Sequence, residues 1–427
     1  MLVALLLAAV GTALGTSPTR DGTYAVGPKF TADPATLTCC KDGDCTNCPK
    51  GESFYLFMPI KDTVYDCADS YLKDACAPNC GQIYGTPGTR NITVYVPAMY
   101  KDGDEAGVMT SQDGGFDQLG AEAGIGEMPA KHVRNTMDNL MGKTGERSLP
   151  TFIWISIGIA GPGGNPQVSP ECADGKGTER FLEYGSMSSD YARFVNDQVL
   201  PFVLNHGDIK AKFPNIKFTK DPEGHASAGC SNGAGAAMKS VLLTPELFGI
   251  AIAYSASLQD WDAGGDKKPL FPSVTTYPRS LADIWIPAPE GMELIKTWPK
   301  KNIRVFHSSS DRDFGTPRSC FRLFPFGIPG YNFTQPVPIP GKYMNFLEAN
   351  NKTEAALVAK GYETRYAYGL DTCHCQEDYI AEDFPNTLVW AWAKWKKKTE
   401  AAAAATALRC KVKATKKKKN AMHRCRN

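Results

Sequence analysis

The sequence predicts an α/β fold: a mostly parallel sheet with helices covering both faces. Three observations carry that prediction. Short apolar runs at 151–158, 248–254 and 303–307 are the length of strands and continuous enough to be buried on both faces. Amphipathic segments separate them, and strands alternating with helices call for parallel crossovers rather than hairpins. The chain is also large enough. Its 427 residues, 42% hydrophobic and 22% charged, allow a sizeable core and exclude collagen-like, wholly disordered and multi-span membrane classes.

Residues 1–15 are apolar, carry no Lys or Arg before the apolar run, and end in Ala13-Leu14-Gly15. The small-x-small ending reads as a signal peptide, and the run falls short of the ~20 residues a bilayer span needs. Residues 16–50, rich in Thr, Gly, Asp and Cys, read as a stapled, loop-rich leader. A body of catalytic size follows at 51–398, interrupted by a Cys-rich insertion at 61–86. Segment 53–59 reads as a strand, and 90–97 alternates polar with apolar residues as a half-buried strand does. Val108-Met109-Thr110 leads into the tight turn Ser111-Gln-Asp-Gly-Gly115. Tyr191, Phe194, Val195, Val199 and Phe202 share one helical face behind a Ser/Asp start. Pro385 is expected to open a last helix with Leu388, Trp392 and Trp395 as its buried stripe.

Residues 399–427 form a basic, low-complexity tail. From Lys394 onward, 13 Lys and Arg face one acid, a net of +12. The formal +2 of the whole chain therefore hides a body of −10. A tail of this kind is solvated or loosely helical, and a contact with a polyanion is the partner it suggests; no specific nucleic-acid signal accompanies it.

Fourteen cysteines point to an oxidising compartment, and half of them crowd into Cys39, Cys40, Cys45, Cys48, Cys67, Cys76 and Cys80. Cys45-x-x-Cys48 has neither a His nor a second Cys pair to complete a zinc site, so no metal is expected. Sequons at Asn91, Asn332 and Asn351 agree with a secreted glycoprotein.

Gly229-Cys-Ser-Asn-Gly233 matches G-x-S-x-G, the pattern of a strained strand-to-helix turn that lifts a serine hydroxyl above the sheet. The small residues His225-Ala-Ser-Ala before it and the helix-forming run 234–243 after it supply that context. Such a site needs an acid and then a histidine later in the chain. His423 lies in the basic tail and His307 within a predicted strand, which leaves His374 in the loop Gly369-Leu-Asp-Thr-Cys-His-Cys375 as the base. The acid belongs after the 303–307 strand, where Asp311 and Asp313 both qualify by spacing. Oxyanion donors are expected from the N–H of Asn232 and from the turn at Gly114 and Gly115. Cys230 precedes the serine, and Cys373 and Cys375 flank the histidine. If the site assembles, a disulfide from Cys230 to Cys375 or Cys373 is expected; a Cys-His-Cys zinc set would lack a fourth ligand.

With these residues in view, 50–398 resembles the esterase D and enterochelin-esterase-like family of α/β-hydrolases. The stretches that carry the resemblance are Val94-Tyr-Val-Pro-Ala98, Ser111-Gln-Asp-Gly114, Arg180-Phe-Leu-Glu-Tyr184, Tyr191-Ala-Arg-Phe194 with Leu200-Pro201, Asp221-Pro-Glu-Gly224, the Gly229–Gly233 elbow and Gly361-Tyr362. The resemblance implies an α/β-hydrolase fold, serine-dependent ester hydrolysis without a cofactor, and Asp313 rather than Asp311 as the acid. Cysteines around the histidine depart from the family's glycines and are similar to the Cys-Ser … Asp … His-Cys pattern of fungal tannases and feruloyl esterases. The expected activity is that of a secreted serine esterase acting on a small-molecule or glycan-linked ester. Acyl transfer to a sugar or lipid alcohol, or a non-catalytic binding protein on the same scaffold, are its alternatives.

Overall fold

The computed structural model describes residues 21–37, 50–61, 63–65, 89–115, 122–142, 145–159, 183–184, 188–258, 295, 298–320 and 345–424. The signal peptide, the seven clustered cysteines, Asn332 and most of the 61–86 insertion lie outside them. Ten strands build one sheet: β1 Gly22–Val26, β2 Glu52–Pro59, β3 Thr89–Val96, β4 Glu105–Ser111, β5 Phe152–Ile157, β6 Lys217–Phe218, β7 His225–Cys230, β8 Ile250–Tyr254, β9 Arg304–Arg312 and β10 Glu363–Cys373. Their order is β1-β10-β9-β8-β7-β4-β5-β3-β2, with the short β6 beside β4. From β4 and β5 through to β1 every neighbour is parallel; β3 alone runs against both β2 and β5. A reversed second strand, a swapped third and fourth, and a serine turn after the fifth strand of the core set are the α/β-hydrolase arrangement.

Parallel neighbours require crossovers, and helices supply them. The main described ones are α1 Ala130–Leu140, α2 Asp190–Phe194, α3 Asn232–Leu243 and α4 Phe346–Ala359, while α5 Glu377–Ala391 and α6 Ala393–Arg424 follow the last strand. The stretch predicted as one helix from 188 to 202 is continuous, running from α2 through a π turn at Val195–Val199 into Leu200–Asn205. Two apolar clusters, one on each face of the sheet, enclose it. That is why β5, β7 and β8 are buried along their whole length.

Two expectations change. The strand at 90–97 is not half-buried: β3 lies between β2 and β5, so all but two of its residues are buried. Pro385 does not open its helix. It sits inside α5, which begins at Glu377, and having no N–H it leaves the Ala381 carbonyl without an intrahelical donor. The N–H of Asp33 fills that acceptor at 3.2 Å. The loop-rich leader also holds a strand: β1 lies within it and extends the sheet beside β10. The tail takes the helical one of the forms expected for it, since α6 continues to Arg424. The expected stripe does pack inward. Leu388, Trp392 and Trp395 are buried, with Trp392 stacked on Phe152 at 4.3 Å where α5 gives way to α6.

Candidate active site

The serine turn follows from steric limits on either side of Ser231. Ser231 holds φ at 59° and ψ at −126°, a left-handed conformation that costs a non-glycine residue of order 1–3 kcal/mol. The surroundings impose it. The Ser231 N–H donates to Tyr254 O at 3.1 Å, while its carbonyl accepts from Gly235 and from Ser257, each at 3.0 Å. A Cβ on Gly229 would stand 2.5 Å from the Gly233 carbonyl carbon, and one on Gly233 would stand 2.8 Å from Asp113 Oδ2. Gly229 leaves no room for a Cβ against the Gly233 backbone, and at Gly233 a Cβ would have to displace the Asp113 carboxylate. Asn232 begins α3, so its N–H is among those a helix start leaves without an intrahelical acceptor, at the positive end of the helix dipole.

His374 follows β10. After Gly369 the β10 register against β9 shifts, Asp371 adopts φ of 54°, and pairing resumes only at Cys373 with Arg312. This bulge turns His374 toward the end of β9, where Asp313 stands. The Nδ1–H of His374 donates to Asp313 Oδ1 at 2.6 Å. That bond places the proton on Nδ1 and leaves Nε2 as the basic nitrogen. Asp313 is fully buried and also accepts from Ser309 Oγ at 3.0 Å and from the Phe314 N–H at 2.7 Å. Phe346 meets the imidazole edge-on at 4.9 Å, and Phe314 lies at 6.4 Å. Asp311 takes a different position: it pairs with Arg318 at 2.7 Å and accepts from the Thr372 N–H at 3.4 Å.

Cys230 is bonded to Cys375 and Cys320 to Cys373. The sulfurs of Cys230 and Cys375 and a ring nitrogen of His374 lie within 4.8 Å of one another, so the imidazole stands beside the residue preceding Ser231. Those sulfurs are spent in the disulfide, so they are not thiolate ligands for a metal.

The turn expected to supply the second oxyanion donor is otherwise engaged. The Gly114 N–H donates to Ile157 O at 2.8 Å, which takes Gly114 out of that role in this conformation. The Gly115 N–H donates to Ser156 Oγ at 3.2 Å, a hydroxyl that can give way to a better acceptor. The Asp113 N–H donates to Tyr184 Oη at 3.0 Å. Sequence reasoning missed this use of Tyr184: its stretch carried the resemblance, but nothing in spacing aims its hydroxyl at the turn. It missed Cys320 as well, because a cysteine count does not reveal pairing.

Of the sequons, Asn91 lies half-buried on β3, with its side-chain oxygen shut off from solvent. Asn351 is exposed on α4 and accepts from Tyr366 Oη at 2.8 Å.

This fold and these contacts define an α/β-hydrolase scaffold carrying a serine turn beside a His–Asp pair. Among solved structures, a ferulic acid esterase is similar at 16% identity and TM-score 0.46, over 81% of this chain and 98% of that one. A ferulic acid esterase of the anaerobic fungus Anaeromyces mucronatus is similar at 12% identity and TM-score 0.45, over 85% and 99%. The enterobactin esterase of Shigella flexneri, with enterobactin present, is similar at 13% identity and TM-score 0.46, over 82% of this chain and 61% of that one. No family model matches the sequence, and no curated protein matches it.

Proposed function

We propose that the protein is a secreted serine carboxylic-ester hydrolase that works through an acyl-enzyme. One observation carries the reading: His374, hydrogen-bonded through Nδ1 to the buried Asp313 at 2.6 Å, stands beside the strained turn that presents Ser231. In this mechanism His374 Nε2 takes the Ser231 proton as Oγ attacks the ester carbonyl, then returns it to the leaving alcohol. Asp313 holds the tautomer and stabilises the imidazolium. The Asn232 N–H, at the start of α3, donates to the oxyanion, and the Gly115 N–H joins it by exchanging Ser156 Oγ for the substrate oxygen. Water then repeats the cycle on the acyl-enzyme. No step calls for a cofactor.

Secretion rests on the apolar N-terminus and on two disulfides among the described residues, and the Asn351 sequon is exposed. Among the described residues no helix is long and apolar enough to cross a membrane. The test is a fluorophosphonate probe together with a panel of p-nitrophenyl, feruloyl and acetylated-glycan esters. The reading expects labelling of wild type that Ser231→Ala abolishes, and turnover of at least one ester. Equal labelling of both proteins refutes it.

A further inference from the structure

His374 has a covalent anchor on each side, and each runs to a different partner in the site. Cys375 is tied to Cys230, next to Ser231, while Cys373 is tied to Cys320, seven residues beyond Asp313. We propose that the Cys320–Cys373 disulfide is a positioning element that sets the His374 imidazole against the Asp313 carboxylate, a proposal that rests on the Ser231–His374–Asp313 reading above.

The sheet itself cannot do this. Regular pairing of β10 with β9 stops at Gly369, and a single pair, Cys373 with Arg312, survives beyond the bulge. The acid and the base therefore both lie past the end of the continuous ladder that would hold them in register. Apart from the His374–Asp313 bond itself, the polar links between the two turns are weak or exposed. The Thr372 N–H reaches Asp311 at 3.4 Å, and Arg318 and Arg312 reach Asp371 at 2.9 and 3.3 Å through largely exposed side chains. Salt screens such pairs. A disulfide is indifferent to salt, and this one spans the gap directly, with Cα atoms 5.7 Å apart.

The acid side is stiff enough to use that anchor. Thr316 donates through its N–H and its hydroxyl to the Asp313 carbonyl at 3.2 and 2.9 Å, and the Ser319 N–H continues the turn to Thr316 O at 3.1 Å. Cys320 thus ends a short hydrogen-bonded run that starts at Asp313. On the other side, the Cys373 N–H donates to Gln376 Oε1 at 2.9 Å, closing the histidine turn. Fixing Cys320 to Cys373 fixes one knitted turn to the other. Misplacement of a catalytic group by about 1 Å costs on the order of a hundredfold in rate, so the loss of this link registers in turnover.

The experiment compares wild type with Cys320→Ser/Cys373→Ser, which leaves no free thiol at either position. Turnover of p-nitrophenyl acetate is expected to fall ten- to a hundredfold in kcat with KM within twofold, and fluorophosphonate labelling of Ser231 to slow by a similar factor. The downfield Nδ1–H proton signal of His374 is expected to broaden or vanish, while far-UV circular dichroism at the assay temperature stays that of wild type. An unchanged kcat, labelling rate and proton signal, with only a lower Tm, would assign the disulfide to stability alone and overturn the proposal. If the double variant does not fold, folded wild type is treated with mild reductant instead, and kcat is followed against the bonding state of the 320 and 373 peptides; activity that survives scission of that bond refutes the proposal. Wild type that fails to label at Ser231 refutes the underlying esterase reading, which separates the two failures.

Discussion

Asp313 has no solvent contact and accepts hydrogen bonds from Ser309, Phe314 and His374, whereas Asp311, two residues earlier, faces Arg318 near the surface. Asp313→Asn is therefore expected to lower kcat by about 10³–10⁴, since it removes the group that holds the tautomer, and Asp311→Asn to leave kcat within threefold. Steady-state hydrolysis of p-nitrophenyl acetate by both variants checks this, and equal losses would contradict the assignment. Spacing alone left both acids open, because what separates them is the end of β9 at Arg312, a boundary set by tertiary pairing. Lys239 on α3 is a second residue whose state depends on surroundings. It is 2% exposed, and burial pushes its ammonium down to about 7, against an ordinary 10.5. Between those two pH values the unfolded chain keeps a proton that the folded chain has released, so stability rises with pH across that window, and the penalty for burying the charge is complete below about 7. Lys239→Met is expected to gain on the order of 4 kcal/mol at pH 7, since each tenfold loss of proton affinity corresponds to about 1.4 kcal/mol, and progressively less toward pH 10. Urea unfolding at two pH values measures it; a gain independent of pH would contradict the titration.

At the scale of elements, β1 shows what short-range patterns miss. Gly-Thr-Tyr-Ala-Val is five residues in a segment of turn-forming composition, and its partner β10 lies about 340 residues away in sequence. What secures it is a buried cluster. Tyr24 Oη donates to Asp383 Oδ1 at 2.6 Å and accepts from Arg365 Nε at 3.0 Å, with the Arg365 guanidinium 4.3 Å from the Tyr24 ring centre. Trp390 Nε1 donates to Asp21 at 2.6 Å just ahead of the strand. Tyr24→Phe leaves the Arg365–Asp383 pair short of a buried partner and is expected to cost about 1–3 kcal/mol, read as a lower urea midpoint with kcat unchanged. A midpoint equal to wild type would mean that the leader adds little to the fold. The helices were more legible. The 3.6-residue period placed the 188–202 face and the Leu388 stripe, and it misjudged only the start of α5, where Pro385 suggested a boundary that the docked Asp33 N–H makes unnecessary.

At the scale of the whole molecule, the two disulfides among the described residues close loops of 145 and 53 residues, the second nested within the first. Chain entropy gives about 5 and about 4 kcal/mol for the separate cross-links, and nesting makes the joint effect smaller than their sum. Full reduction is expected to lower Tm by on the order of 10 °C, measured by calorimetry with and without a phosphine reductant. No change on reduction would show that the native contacts alone hold the closed arrangement. At the other end, α6 is anchored early by Lys394 on Glu363 at 2.6 Å and by Lys396 on the Gly145 carbonyl at 2.7 Å, and residues 401–408 are exposed all round. At 1.5 Å per residue its 32 residues reach about 48 Å, and the basic run at 416–419 lies in its distal half. Truncation after Leu408 is expected to leave kcat on a neutral ester within twofold and to lower the salt needed for elution from a polyglutamate column; unchanged retention would remove the tail from any polyanion contact. The amino-acid order by itself determined the alternation of strand and helix, the serine turn and the identity of the candidate base, because each rests on local periodicity or on a steric rule within a few residues. Only the tertiary structure decided which aspartate meets the histidine, which cysteines pair, which N–H groups are already taken and that the leader joins the sheet. Those choices depend on which segments, distant in sequence, the sheet brings within bonding distance, and no local pattern encodes such a meeting.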